Sequence, residues 1–135
     1  MTESVSIPYL PILVAALLTM PVGFLWFSPM LFARRWTALN PQLNPEMKPT
    51  VLPFVLTLLF QIAMAFVLWL LIEILGIRDV FTVWIVAGTL WLVFDFLPAT
   101  THHLFDKRPM QLLLINNVYD LANILVMSTV LVLWS

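Results

Sequence analysis

Residues Leu114–Met127 read LINNVYDLANILVM, and this stretch decides how the rest of the chain has to fold. It lies inside an apolar run that is long enough to cross a bilayer, yet polar side chains interrupt it. At about 100° per residue, one arc of the helix carries Asn116, Tyr119, Asp120, Asn123 and Met127. The opposite arc carries Leu114, Val118, Leu121, Leu125 and Val132. The pattern predicts a membrane helix whose polar arc faces protein and whose apolar arc faces lipid.

The polar arc should find partners at the same depth in the membrane. A carboxylate at the centre of a membrane helix costs roughly 2.5–3.5 kcal/mol on insertion scales, so it should face protein or water. Asp120 lies about ten residues, or roughly 15 Å, into its run, and Gln61 lies at the same depth in another run. We therefore expect a layered polar core made of Thr19, Gln61, Trp91, Asp95, Asn116, Tyr119, Asp120 and Asn123.

The composition predicts an integral membrane protein whose main partner is the lipid bilayer. Of the 135 residues, 62% are hydrophobic and 10% are charged, which is more apolar surface than a soluble domain of this size could bury. The net charge of −1 indicates no nucleic-acid partner, and the absence of cysteine excludes disulfides and cysteine nucleophiles. The N-terminal region has no basic segment and no A-x-A-like site after the first apolar run, so we expect a retained span.

Four apolar runs predict an all-α membrane protein, a four-helix antiparallel transmembrane bundle forming a single domain over residues 1–135. The predicted spans are 9–27, 51–75, 80–99 and 110–134. Gly76 reads as a helix C-cap and Asp79 as the N-cap of the next helix. A compact charged link is predicted over residues 101–109. Because the links on both sides of span 3 are short, we expect span 3 to neighbour spans 2 and 4.

A short interfacial helix is predicted after span 1, over about residues 29–39, with Ser28 as its N-cap. Three apolar side chains share one side of it: Phe32, Trp36 and Leu39. Arg34 and Arg35 lie on another side, which is typical of a helix at the headgroups. The alternative is that span 1 runs on and its arginines reach up to the interface.

Two prolines lie inside or near the ends of predicted spans. Pro21 should kink span 1 because it removes a backbone donor. Pro98 should kink the end of span 3 and free the carbonyl of Phe94, while Thr100 and Thr101 bond to nearby carbonyls.

A row of small residues in span 1 predicts a close helix contact. Ala15, Thr19 and Gly23 recur at every fourth position, which lets a neighbouring helix approach closely. A homo-oligomer through this face of span 1 and a monomer are both left open.

Basic residues predict the orientation in the cytoplasmic membrane. The links after spans 1 and 3 carry Arg34, Arg35, Lys48, Lys107 and Arg108. The link after span 2 carries only Arg78. The positive-inside rule therefore puts links 1 and 3 in the cytoplasm and both termini outside. The predicted interface anchors are Arg34, Arg35, Trp36, Lys107 and Arg108.

Two segments resemble a known family. Residues 23–32 read GFLWFSPMLF and are followed by Trp36, and residues 104–119 read LFDKRPMQLLLINNVY. They are similar to the small bacterial four-span family catalogued as domain of unknown function 1761. In that family an LWYSPLLF-like end of span 1 accompanies an RPxxLxLINxGYxxL-like start of span 4. Members often have His where this chain has Asp120, which implies a site that tolerates different ionisable groups. The resemblance implies the four-span fold over essentially the whole chain and implies no activity.

Asp95 and Asp120 carry the functional prediction. With no Lys or Arg inside the spans to match them, protonation of at least one is favoured, and carboxyls at such depth commonly mark proton or ion pathways. This predicts a small proton- or solute-linked carrier or channel whose small-molecule or ion ligand is unknown. The alternative is a structural or accessory membrane subunit, in which the asparagines and Gln61 join helices at about 0.6 kcal/mol per hydrogen bond.

A membrane enzyme is the third class. Asp95 with His102 is the one plausible acid–base pair, and we predict no catalytic residue. His102 and His103 with Asp106 do not predict a metal site, because adjacent histidines on a helix diverge by about 100° and no third ligand has a set spacing. We expect two solvated interfacial histidines, no metal and no cofactor.

Cysteine labelling tests the orientation directly, because the chain has no cysteine of its own. In the variant Ser135→Cys, an impermeant thiol reagent added outside intact cells should label the protein. Labelling from the cytoplasmic side only would contradict the predicted orientation.

Overall fold

The computed structural model describes residues 7–28, 31–39 and 51–134, and within these residues it is helical with no strand. The elements are α1 (Tyr9–Trp26), α2 (Ala33–Ala38), α3 (Leu52–Leu75), α4 (Val80–Trp91), a π-helical segment (Leu92–Phe96), α5 (Leu97–Asp106) and α6 (Met110–Trp134). Four stretches are long and apolar enough to cross a membrane: α1, α3, the continuous run from α4 through α5, and α6. The predicted all-α bundle of four spans is confirmed.

The link between α3 and α4 has the end signals that the sequence predicts. Gly76 ends α3 in the left-handed conformation at φ 67°, which glycine adopts without steric cost. Asp79 caps α4 by accepting a 2.8 Å hydrogen bond from the Thr82 amide. This bond, together with one from the Thr82 hydroxyl, lowers the pKa of Asp79 below its ordinary value.

The helix after span 1 is shorter than predicted and is capped differently. It begins at Ala33, and its N-cap residue Phe32 makes no side-chain capping bond. The prediction that Ser28 is the N-cap is wrong, because the Ser28 hydroxyl donates to the carbonyl of Leu25 at 2.6 Å. Serine hydroxyls reach back to preceding carbonyls in this way at helix ends. Pro29 lies outside the described residues.

Span 3 is longer than predicted. Its helix continues past Ala99 to Asp106, and Lys107 then ends it in the left-handed conformation at φ 55°. The predicted link over residues 101–109 therefore shrinks to the few residues before α6 begins at Met110.

A π-helical segment precedes Pro98 inside span 3. The Leu97 amide bonds to the carbonyl of Leu92, five residues back, so the turn is wider than in an α-helix. The hydroxyls of Thr100 and Thr101 donate to the carbonyls four residues before them, at 2.8 and 3.1 Å, as predicted. In span 1, by contrast, α1 continues through Pro21 without interruption.

Helix α6 is the centre of the bundle. It packs against α1, α3 and α4, whereas α3 and α4 hardly touch each other. The prediction that spans 2 and 3 are neighbours therefore holds at their short link and not along the length of the helices. They meet at the link end, where Ile72, Ile77 and Val83 belong to one apolar core cluster. A short link brings two helix ends together but does not make the helices pack along their length.

The C-terminal half of α6 is buried on more sides than predicted. Met127 and Leu131 join the apolar core at the link end, together with Val132. The expectation that Val132 faces lipid is wrong, because it is buried against this cluster. Leu114, near the other end of the same predicted arc, is exposed as expected.

The small-residue row of α1 is used inside the single chain. Ala15 and Thr19 are buried, and Gly23 faces the ring of Tyr119 on α6. A homo-oligomer through span 1 would therefore have to use a different face of α1.

Two groups of basic residues, Arg34 with Arg35 and Lys107 with Arg108, lie at the same end of the bundle. Arg35 of α2 donates from its guanidinium to the side-chain oxygen of Gln111, at the start of α6. At the opposite end Arg78 lies 3.9 Å from the carboxylate of Glu73. Lys48 lies outside the described residues.

Gly23 and Tyr119 give a test of the α1–α6 contact. A Cβ at position 23 would lie 2.7 Å from the Tyr119 hydroxyl oxygen, so Gly23→Ala should cost about 1–3 kcal/mol of stability by overpacking. Tyr119→Phe removes that oxygen, and the next ring atoms are at ordinary distances of 3.5 and 3.6 Å.

Thermal unfolding in mild detergent should therefore show a lower Tm for Gly23→Ala and recovery in the double variant with Tyr119→Phe. The single variant Tyr119→Phe is the control. An equal loss from Gly23→Ala in both backgrounds would contradict the contact.

Candidate functional site

Three tryptophan indoles donate hydrogen bonds to consecutive residues of α6. The bonds join Trp26 to the carbonyl of Ile115 (3.0 Å), Trp36 to the side-chain oxygen of Asn116 (2.9 Å) and Trp91 to the carbonyl of Asn117 (2.6 Å). The donors come from α1, α2 and α4, so one short segment of α6 links three other helices. A backbone carbonyl has two lone pairs, so it can accept an indole N–H in addition to its helical bond.

Aromatic rings fill the side of α6 that faces α1 and α2. The Tyr119 ring packs edge-on against Phe27 at 5.1 Å between centroids and against Trp26 at 6.2 Å. Phe27 in turn packs against Trp36. This side therefore joins α1 and α2 to α6 through packed aromatic rings.

The other polar side of α6 faces the π-helical segment. Two carboxyl groups meet there, Asp120 from α6 and Asp95 from the π-helical segment. The Asn117 side-chain amide donates to the carboxylate of Asp95 and lies 3.5 Å from the Asp95 carbonyl oxygen. The Asp120 carboxyl lies within hydrogen-bonding reach of the Asp95 carboxyl. Two neighbouring carboxyls in apolar surroundings repel each other when both are ionised, so a proton shared between them stabilises the pair.

A groove of about 430 Å³ opens onto this carboxyl pair. Its walls are α3 on one side and α4 with the π-helical segment on the other, and α6 forms its floor. Its lining residues are mostly apolar: Ala63, Met64, Val67, Leu68, Leu71, Leu90, Trp91, Phe94, Asp95, Asp120 and Ile124. The groove exists because α3 and α4 do not pack together at this depth.

A third group of polar side chains is buried inside the bundle. Asn123 is 1% exposed, and neither its amide nitrogen nor its oxygen has a hydrogen-bond partner among the described residues. Gln61 is also buried, and its side-chain oxygen has no partner in the same part of the chain. Thr19 donates to the carbonyl of Ala16 at 2.6 Å, within its own helix.

The structure thus separates the layered polar core that the sequence predicts into three places. Asp95, Asp120 and Trp91 lie at the groove, Asn116 and Tyr119 lie on the aromatic side, and Thr19, Gln61 and Asn123 lie in the interior. The sequence predicts similar depths for them, but the faces of α6 point to different neighbouring helices. The first group lines the groove.

Sequence reasoning missed Asn117, which supports the carboxyl pair. It lies outside the predicted arc, about 100° from Asn116. The signal that could have found it is its spacing from Asp120, because residues three apart share a helix face.

The predicted interface residues have different surroundings. Arg34, Lys107 and Arg108 are exposed, while the indole of Trp36 points inward to Asn116. The expectation of two solvated histidines is wrong for His103, which is buried, and His102 is exposed. Among the described residues, no three His, Asp or Glu side chains are grouped closely enough to hold a metal ion.

A double-mutant cycle tests the support that Asn117 gives to Asp95. Asn117→Ala and Asp95→Ala should be coupled by about 0.5–2 kcal/mol, because each change removes the same hydrogen bond. Asn116→Ala is the matched control, since Asn116 bonds to Trp36 and should be additive with Asp95→Ala. Unfolding free energies in detergent measure both cycles. Equal coupling in the two cycles would contradict the assignment.

Comparison with known proteins identifies a family without identifying a function. No curated protein and no solved structure matches the chain. A family model described as "Protein of unknown function (DUF1761)" matches residues 10–132, which confirms the resemblance seen in the two sequence motifs. Because the match covers nearly the whole chain, this four-span membrane protein belongs to that family.

Proposed function

We propose that this protein is a small carrier or channel-like protein that moves protons, alone or together with a solute, through the Asp95–Asp120 pair. The observation that carries the proposal is that this pair lies at an open groove and is not enclosed between packed helices. Carboxyls kept at membrane depth are costly and commonly belong to proton or ion pathways.

The composition of the groove supports the proposal. Asp95 and Asp120 are the only ionisable side chains of its lining, and no Lys or Arg lies within the sequences of α3 to α6 apart from the links between spans. A shared proton would therefore be the counter-charge of the pair. The pair could release and rebind this proton when the groove is accessible to water or to a cation.

The surroundings of the carboxyl pair favour a proton-transfer site over a contact that only joins helices. Asn117 donates to the carboxylate of Asp95, and Trp91 in turn donates to the carbonyl of Asn117, so the geometry at Asp95 is organised before any ligand arrives. Asp95 also lies in a π-helical segment, and such segments are frequent at functional sites.

A structural or accessory subunit is the second candidate. The indole bonds to residues 115–117 favour it, because they join α1, α2 and α4 to α6. The bonds from Trp26 and Trp36 lie on the aromatic side of α6, whereas Trp91 lines the groove together with Asp120. The two candidates therefore differ in what Asp120 does, and Asp120 is the residue to test.

Proton flux in liposomes tests the proposal. Wild-type protein reconstituted with an internal pH dye and a clamped membrane potential should dissipate a pH gradient faster than empty liposomes. Asp120→Asn preserves shape and most hydrogen bonding but cannot carry a proton, so it should lower the flux by about tenfold or more. Glu73→Gln is the matched control, because it makes the same chemical change at an exposed carboxylate outside the groove.

Two results together would assign the protein to the structural class. The first is wild-type flux equal to that of empty liposomes. The second is tryptophan emission that does not change between about pH 5 and 9 in the wild type, although Trp91 lines the groove beside Asp95.

A further inference from the structure

The groove opens sideways toward the region that lipid would occupy. Its two walls, α3 and α4, hardly touch, and the lining residues Met64, Val67 and Phe94 are exposed apolar side chains at spanning depth. Exposed apolar residues at this depth contact acyl chains. A ligand can therefore reach the carboxyl pair from the hydrocarbon region without first crossing an aqueous entrance.

The lining of the groove favours a ligand that combines two properties. Most of its lining is aliphatic or aromatic, which favours an apolar body. Its polar end is the Asp95–Asp120 pair, and no basic side chain lines the groove to balance it. A ligand that complements this end carries a positive charge on its apolar body.

Trp91 strengthens the preference for a cation. Its ring lines the groove next to Asp95, and its N–H is held by the carbonyl of Asn117, so the orientation of the indole is set. Phe96 packs against it at 5.1 Å between centroids. The faces of tryptophan rings attract organic cations, and most strongly so where water is excluded.

We propose that the groove binds a hydrophobic organic cation, such as an amphiphilic amine or a quaternary onium ion, that enters from the bilayer. A volume of about 430 Å³ falls within the range of small-molecule sites. The proposal rests on the proposed function and names its solute class. The bound cation replaces the proton shared by Asp95 and Asp120, so one proton leaves for each cation that binds. No other titratable side chain from α3, α4, the π-helical segment or α6 lines the groove.

Two probes of similar shape and opposite charge test the proposal on the full-length protein in nanodiscs. Radiolabelled tetraphenylphosphonium should bind saturably above the level of empty nanodiscs, and tetraphenylborate should not. In weakly buffered solution, a pH dye should report about one proton released for each cation bound. Asp95→Asn and Asp120→Asn should each weaken cation binding by about tenfold or more, and Glu73→Gln should leave it unchanged.

A matched pair of variants separates the groove from general effects on the helix. Val67 lines the groove and is 52% exposed, while Val55 lies outside it on the same helix and is 46% exposed. Val67→Trp fills the groove without altering a carboxyl and should abolish saturable binding. Val55→Trp adds the same bulk toward lipid and should bind as the wild type does.

The outcomes distinguish this proposal from the proposed function. Proton flux without cation binding would overturn the solute class and leave the proton pathway standing. Cation binding with proton release but no flux would overturn transport and leave a binding site. Equal binding of the two probes, or equal loss from Val67→Trp and Val55→Trp, would overturn the groove as a cation site. A dimer that Val67→Trp disrupts, with no cation binding, would assign the groove to a second copy of the chain.

Discussion

The bundle depends on hydrogen bonds that tryptophan indoles donate to residues 115–117 of α6. In hydrocarbon a polar group has no water to bond with, so a helix that carries asparagine and aspartate must be surrounded by other helices. The indole is suited to this role because it combines a large apolar ring with a single donor. Each bond is worth little by itself, but together they set the depth and rotation of three helices relative to α6.

The central place of α6 explains both the closed end and the open groove. A helix surrounded by α1, α3 and α4 separates α3 from α4, although the chain joins them by a short link. At the link end, apolar residues such as Ile72 and Met127 close the core. Farther along, α3 and α4 stay apart, and the gap lies on the face of α6 that carries Asp120. The packing that satisfies one polar face of α6 therefore leaves another face accessible.

Much of the fold could be predicted because it follows from local rules. Span length sets the four helices, and the end signals at Gly76 and Asp79 depend only on their neighbours in sequence. The groove could not be predicted in this way, because it depends on which helices pack along their length. Helical periodicity places Asn117 and Asp120 on one face, but only the neighbouring helices decide that Asn117 meets Asp95 and that Asn116 meets Trp36. Ser28 illustrates the same limit, since its hydroxyl could cap forward or bond backward and the structure has the second.

The carboxyl pair also depends on a departure from α-helical geometry. Pro98 has no amide hydrogen, so the carbonyl of Phe94 cannot accept the bond that an α-helix would give it. The chain instead forms a π turn in which the Leu97 amide bonds to Leu92, and Asp95 lies within that turn. There the Asn117 amide reaches the Asp95 carboxylate and approaches its carbonyl. Because α5 resumes directly afterwards, the distortion stays where span 3 faces Asp120. Pro98 does not line the groove, and we infer that it influences the carboxyl pair through the backbone.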